Sequence, residues 1–319
     1  MSDKLQNGTV VQQLLPTVFG AAITAILFAM CFLIPPAGII LCLLVPFPAI
    51  YSRFRIGRGA EAVVVTLATF LVSALFNTQT AMFYLVQFGL ISLLMPELLA
   101  RGVGAARTIA WTTAISLLVY LLVLAGFYFG GEQNVHQLIV SLIKESFDKA
   151  VAYYETRGFK GDDLVAVKQT LGAAADLFAR TYPSFVTVFV IAIAGFNALL
   201  AGRYCRQFES APEIGAFKEF KNPENLIWVL IMAGFSMLSG NPMITTPALN
   251  LLVILVLLYF IQGMSVVLTL IERNSLARTL KVAFYLMLVF QPYIAAPVAA
   301  IGIFDLWGDF RTPRKQENL

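Results

Sequence analysis

LNLLVILVLLYFIQGMSVVLTLI, residues Leu249–Ile271, carries no formal charge over its whole length. Wound as an α-helix at 1.5 Å per residue it is about 34 Å long, enough to cross the ~30 Å hydrocarbon core of a bilayer. Thr245, Thr246 and Pro247 read as its N-cap and early proline, and Glu272 and Arg273 mark the return to water. Tyr259, Gln262, Ser265 and Thr269 recur at helical spacing on one face, with Gly263 beside them where a second backbone can approach. Asn250 lies on another face. A spanning helix with such a stripe faces other helices rather than lipid, so Gln262 is expected to point into a bundle, within reach of Tyr84, Gln87 or Asn197.

The rest of the chain has the same character. Of its 319 residues 59% are hydrophobic and 13% charged, about half the charge of a soluble domain. Its apolar runs are continuous rather than alternating, which excludes a β-barrel. Lys4 precedes a full-length apolar span with no small-residue cleavage site, so no cleaved signal peptide is expected. The net charge of +4 sits in short loops and gives no footprint for nucleic acid. Cys31, Cys42 and Cys205 form no disulfide framework, and His136, the single histidine, has no metal-ligand spacing around it. No metal, cofactor or catalytic residue set is expected: Walker A, GxSxG, HExxH and paired intramembrane carboxylates are all absent from the sequence.

In order, apolar segments fall at about 14–34, 37–51, 62–76, 80–100, 108–130, 183–202, 226–238, 249–271 and 282–304. Between the fifth and sixth lies one long hydrophilic insert. It has one apolar stripe at Ile139, Ile143, Phe147, Val151 and Tyr154, and a second at Leu164, Val167, Leu171, Ala175 and Phe178. That pattern predicts two amphipathic helices in a hairpin. The expected fold is therefore all-α: a polytopic transmembrane helix bundle of eight to nine spans with an external amphipathic helical hairpin. The expected segments are 1–130 (N-terminal spans), 131–182 (extracytoplasmic hairpin) and 183–319 (C-terminal spans and polar tail), together one membrane domain.

Loop charge predicts the orientation. Every short loop on one side is basic (Arg53–Arg58, Arg101–Arg107, Arg203–Lys221, Arg273–Lys281), while those around Pro35, Asn77 and Asn241 carry no Lys or Arg. The basic side is inside and the long insert outside. Nine spans would then put the tail outside, yet the tail carries Arg311, Arg314 and Lys315. A last segment that enters and returns near Pro292 resolves this with eight full spans, and Asp305 or Asp309 is then expected to pair with a basic residue of an inner loop. Arg53, Arg55 and Arg58 are expected to touch anionic headgroups.

Two sets of residues stand as functional candidates. Tyr84, Gln87, Asn197, Asn250, Tyr259 and Gln262 are neutral polar groups inside spans, suited either to interhelical hydrogen bonds or to a cavity for a mildly polar small molecule. Ala21, Ala25 and Ala29 form a flat strip on the first span, suited to close packing in the bundle or to docking a partner; Ala194, Ala198 and Gly202 repeat the pattern. Ionisable groups at depth are almost missing, Glu97 beside Arg101 being the nearest, which argues against an ion pathway.

Two stretches carry a resemblance. Tyr259-Phe260-Ile261-Gln262-Gly263 followed by Gly302-Ile303-Phe304-Asp305-Leu306-Trp307-Gly308-Asp309-Phe310-Arg311, and Pro46-Phe47-Pro48 followed by Arg55-Ile56-Gly57, resemble the YybS-like family of bacterial inner-membrane proteins (domain of unknown function 2232). That implies a multi-pass protein of the bacterial cytoplasmic (inner) membrane. More distantly, the Ala21, Ala25, Ala29 strip is similar to the AxxxA face of substrate-binding subunits of energy-coupling factor transporters, which meets a shared energising module. The chain departs from those six-span carriers by its extra spans and hairpin. The resulting expectation is a non-enzymatic small-molecule binding or transport subunit without its own energy source, its partners the lipid bilayer and an energising transporter module or other membrane protein. The alternative is a membrane scaffold or assembly protein with no ligand.

Overall fold

The computed structural model describes residues 2–34, 37–130, 135–209, 211–212, 214–273, 277–308 and 310–311. Among them every regular element is helical: α1 (Ser2–Leu33), α2 (Ala37–Leu44), α3 (Phe47–Ile56), α4 (Ala60–Leu75), α5 (Thr78–Tyr84), a π-helical turn (Leu85–Gly89), α6 (Leu90–Ala100), α7 (Ala105–Phe129), α8 (Val135–Thr156), α9 (Gly161–Tyr204), α10 (Leu226–Ser236), α11 (Pro242–Glu272), α12 (Ala277–Phe290) and α13 (Ala295–Gly308). Among the described residues six stretches are long and apolar enough to cross a bilayer: Leu14–Leu33, Ala37–Ile56, Thr78–Ala100, Ala105–Phe129, Gly161–Tyr204 and Pro242–Glu272. The pair Arg278–Phe290 and Pro292–Gly308, bent by 111°, makes a seventh if taken as one span. The count of eight to nine relied on α4 and α10, which have only 16 and 11 residues. At 1.5 Å per residue these are about 24 and 16 Å long, below the ~30 Å hydrocarbon thickness.

Other boundaries shift for local reasons. α11 begins at Pro242, not near Thr245, because the Asn241 side chain accepts from the Met243 N–H and Pro242 takes the first turn. The second half of the expected hairpin and the sixth expected span are one 44-residue helix, α9, with Pro183 inside it. α8 runs antiparallel to the first part of α9: Glu155 pairs with Lys168 at 2.8 Å, the Phe147 and Phe178 rings lie 5.8 Å apart, and His136 Nδ1 is 2.9 Å from the Tyr182 hydroxyl.

The chain divides into two compact units, Met1–Gln133 with Phe189–Gly215, and Asn134–Val188 with Ala216–Leu319. This differs from a cut at 130 and 182, since α9 contributes to both. In the first unit α1 packs against α2, α3 and α4. Ala21 and Ala25, 1% and 3% exposed, are buried in this core, and Ala29 is half-buried. The strip is thus covered in the free chain, where helices without bulky side chains gain backbone van der Waals contact. Phe28 anchors the same core, its ring 5.4 Å from Tyr84 and 5.9 Å from Phe88.

At one end of this unit an ion-pair network joins α3, α4 and α6. Glu97 meets Arg101 at 2.9 Å, Arg53 at 3.4 Å and Arg58 at 3.7 Å, and Arg53 also meets Glu61 at 3.7 Å. Arg53 is only 12% exposed at its side chain, so it fastens helices rather than touching headgroups. Arg55 and Arg58 are exposed. Gly57 and Gly59, with φ of 127° and 93°, make the left-handed turn that returns the chain into α4.

In the second unit α11 is the centre, and α13 packs along it. Gly263 and Gly302 face each other at the crossing. A Cβ on Gly263 would overlap the Val298 carbonyl oxygen, and one on Gly302 the Tyr259 carbonyl oxygen. Lys281 pairs with Glu272 near the start of α12, and Arg273 donates to the backbone oxygen of Arg311 just beyond α13. Both ends of the α12–α13 pair therefore lie at the C-terminal end of α11, with the bend at Gln291–Pro292 between them.

Candidate functional site

The six polar candidates divide by what their side chains touch. Asn197 Nδ2 donates to the Ile193 carbonyl on its own helix and, at 2.8 Å, to Leu43 O. That carbonyl sits at the end of α2, where Pro46 stops the helix and the last carbonyls lose their intrahelical donors. Asn250 repairs a second break. Pro183 has no N–H and opens the α9 ladder; the Asn250 amide enters the gap, accepting from Ser184 N–H at 2.9 Å and donating to Arg180 O at 2.7 Å. It takes the place of the peptide pair that an uninterrupted helix would form. Asn250→Ala should therefore cost about 1–3 kcal/mol through the groups left unpaired. Adding Pro183→Ala should recover part of that loss, as a double-mutant cycle of detergent unfolding would record; equal costs in both backgrounds would refute the bridge.

Gln262 points into its unit, but its partners are neither Tyr84, Gln87 nor Asn197. Its Oε1 accepts from Asn222 N–H at 3.0 Å and its Nε2 donates to Asp305 Oδ2 at 3.1 Å. Asp305, 2% exposed at its side chain, is held at 2.8 Å by Arg311, whose other nitrogen donates to Lys218 O at 2.8 Å. Ser265 donates to the same carbonyl at 2.8 Å. Asp305 thus finds its base in the tail itself, and the inner loop joins through a backbone oxygen. Asp309 lies outside the described residues. These contacts tie the 218–222 segment, α11, α13 and Arg311 together.

Tyr84 and Gln87 behave differently. Gln87 lies in the π-helical turn, a local widening often found at functional positions. Its Oε1 accepts from the Tyr120 hydroxyl at 2.8 Å, while its Nε2 is buried with no partner in the protein. The Tyr84 hydroxyl is also buried and unpartnered. One and two turns from Tyr120, α7 presents Ser116, Thr112 and Thr113, all buried and with unpartnered hydroxyls. The buried positions of α7 are Thr108, Thr112, Thr113 and Ser116, so its inward face is a row of hydroxyls. Sequence reasoning missed this row, although Thr108, Thr112, Ser116 and Tyr120 recur every four residues. Tyr259 has an unpartnered buried hydroxyl too, in the other unit.

These groups are neutral donors and acceptors. They can bind a polar, uncharged molecule by hydrogen bonds; they supply no general acid or base near pH 7. Among the described residues no cluster of three His, Cys, Asp or Glu could hold a metal. No curated protein and no solved structure matches the chain. The match that does exist is broad: residues 22–306, nearly every helix described above, fit a single family, and the chain belongs to the predicted membrane proteins of DUF2232.

Proposed function

We propose that the chain is a small-molecule binding or transport subunit of a bacterial inner membrane, without catalysis or an energy source of its own. Recognition uses the neutral groups of α5, the π-helical turn and α7. The observation that supports this is a set of buried polar atoms without partners on these helices: Tyr84 Oη, Gln87 Nε2, and the Thr112, Thr113 and Ser116 hydroxyls. Each such atom costs about 1–3 kcal/mol when left unpaired, and a ligand's hydrogen bonds would recover that loss. The reading is tested by purifying the full chain in mild detergent and identifying co-purifying small molecules by mass spectrometry. A captured molecule should raise the thermal midpoint of the wild type and not that of Gln87→Leu. A more stable Gln87→Leu protein, with nothing captured by either form, would refute it.

A second reading, a membrane scaffold without ligand, draws on the amides of Asn197, Asn250 and Gln262, which are engaged in ties between chain segments. The analogy with energy-coupling carriers is weakened because Ala21 and Ala25 are covered within their own unit. An energising partner would need another surface.

On either reading α4 and α10 count as short spans and α12–α13 re-enters near Pro292, giving eight crossings with the 131–182 insert outside. Single cysteines at Gly161 and Arg55, in a cysteine-free background, should then label oppositely with an impermeant reagent; labelling of both from outside would overturn the topology.

A further inference from the structure

A groove of about 360 Å³ runs along α4, between it and the continuous α5–α6 stretch, all within the first unit. Ala62, Thr66 and Ser73 form one wall, and Met82, Leu85 and Leu93 the other. The lining is apolar even where it carries hydroxyls. Thr66 donates its hydroxyl to Ala62 O at 2.8 Å and Thr69 to Val65 O at 2.7 Å, so both are bonded back onto α4. From Ala62 to Ser73 the wall is about 16 Å long at 1.5 Å per residue, close to half of the ~30 Å hydrocarbon core, the depth of one leaflet.

One end of the groove is cationic. Ala62 lies in the first turn of α4, which the Gly57–Gly59 turn carrying Arg58 leads into, and Leu93 lies one turn before Glu97 on α6; Arg58 and Glu97 pair at 3.7 Å. Glu97 is shared by Arg53, Arg58 and Arg101, and Arg53 also meets Glu61, so three guanidinium groups face two carboxylates. Arg58 and Arg101 keep 78% and 64% of their side chains exposed. Their guanidinium groups therefore have donors free for a second acceptor, and paired N–H groups match a phosphate.

We infer that this groove binds one anionic phospholipid of the surrounding bilayer, with an acyl chain along α4 and the phosphate at Arg58 and Arg101. The acyl chain fills an apolar trough one leaflet deep, and the headgroup meets the excess positive charge at its mouth. A zwitterionic lipid offers the same chain but less complementary charge, and a helix from another protein would leave the arginines unexplained. The site is separate from the polar cluster of α7, and its test does not depend on that assignment.

Native mass spectrometry of the full chain in mild detergent, supplied with equal phosphatidylglycerol and phosphatidylcholine, tests it. One phosphatidylglycerol per chain should be retained in preference to phosphatidylcholine. Arg58→Gln and Arg101→Gln should each lower that retention about fivefold, the equivalent of ~1 kcal/mol per arginine near an anionic surface. Thr66→Trp, at an exposed groove position, should fill the trough and release the lipid; Ser73→Trp serves the same end if Thr66→Trp is not monodisperse. Equal retention of the two lipids, unchanged by both arginine variants, would mean annular lipid only and overturn the proposal. So would phosphatidylglycerol that survives a groove-filling tryptophan in a folded protein.

Discussion

Gly263→Ala is expected to destabilise the second unit by more than the ~1–3 kcal/mol of ordinary overpacking. A methyl group there would overlap the Val298 carbonyl oxygen, and the Gly302 backbone lies next to it. Backbone atoms cannot rotate away as a side chain does, so α11 and α13 would have to separate. Their separation would also pull Asp305 from Gln262, which are joined at 3.1 Å. Gly302→Ala should behave alike, because its methyl group would strike the Tyr259 carbonyl oxygen. Gly195→Ala is the control: a Cβ there meets nothing within 4 Å, and removing a helical glycine should be neutral or stabilise by about 0.4–1 kcal/mol. Unfolding of the three variants in detergent decides the matter. If Gly263→Ala costs no more than Gly195→Ala, the helices do not cross at these glycines.

The second large effect is expected at Asp305. Its carboxylate and the Arg311 guanidinium are 2% and 16% exposed and 2.8 Å apart. Removing one member of a buried ion pair leaves an uncompensated charge and typically costs about 3–5 kcal/mol. Asp305→Ala should fall in that range, since Arg311 and the Gln262 amide lose the same acceptor oxygen. Arg311→Ala should cost a similar amount by stranding the carboxylate. The double variant should be less destabilised than the sum of the two, because no unpaired charge is left behind. Additive losses across this cycle would show that the two groups do not depend on each other.

These two sites mark where sequence reading succeeds and where it stops. The stripe on α11 was legible: Tyr259, Gln262 and Ser265 are buried with Gly263 beside them, and Thr269 is half-buried, in keeping with helical spacing of polar groups in an uncharged span. What each group touches was not legible. Gln262 meets Asn222 and Asp305, 40 and 43 residues away. Asn250 reaches Ser184 and Arg180, 66 and 70 residues away. Periodicity reports which face of a helix turns inward, and it holds no information about the element that arrives there.

The α7 row failed for a different reason. Serine and threonine are common in spanning helices, where their hydroxyls usually bond back to the preceding turn. Thr112, Thr113 and Ser116 do not, and that depends on rotamers set by neighbouring helices. The alanine strip was ambiguous in the same way. A small-residue face predicts close approach and is silent on whether the approaching backbone is the chain's own, as it is for Ala21 and Ala25.

By itself the sequence determined that this chain is an all-helical membrane protein, because a span must be apolar over its full length and must satisfy its backbone internally. It also marked the inward face of α11. Tertiary structure decided the rest: that α9 continues past Pro183 with its opened ladder bridged by Asn250, that α12 and α13 fold back to the end of α11, and that three of the six polar candidates tie segments together. Those outcomes turn on contacts of a few ångströms between distant residues, where a carbonyl freed by one proline is met by an amide from another helix.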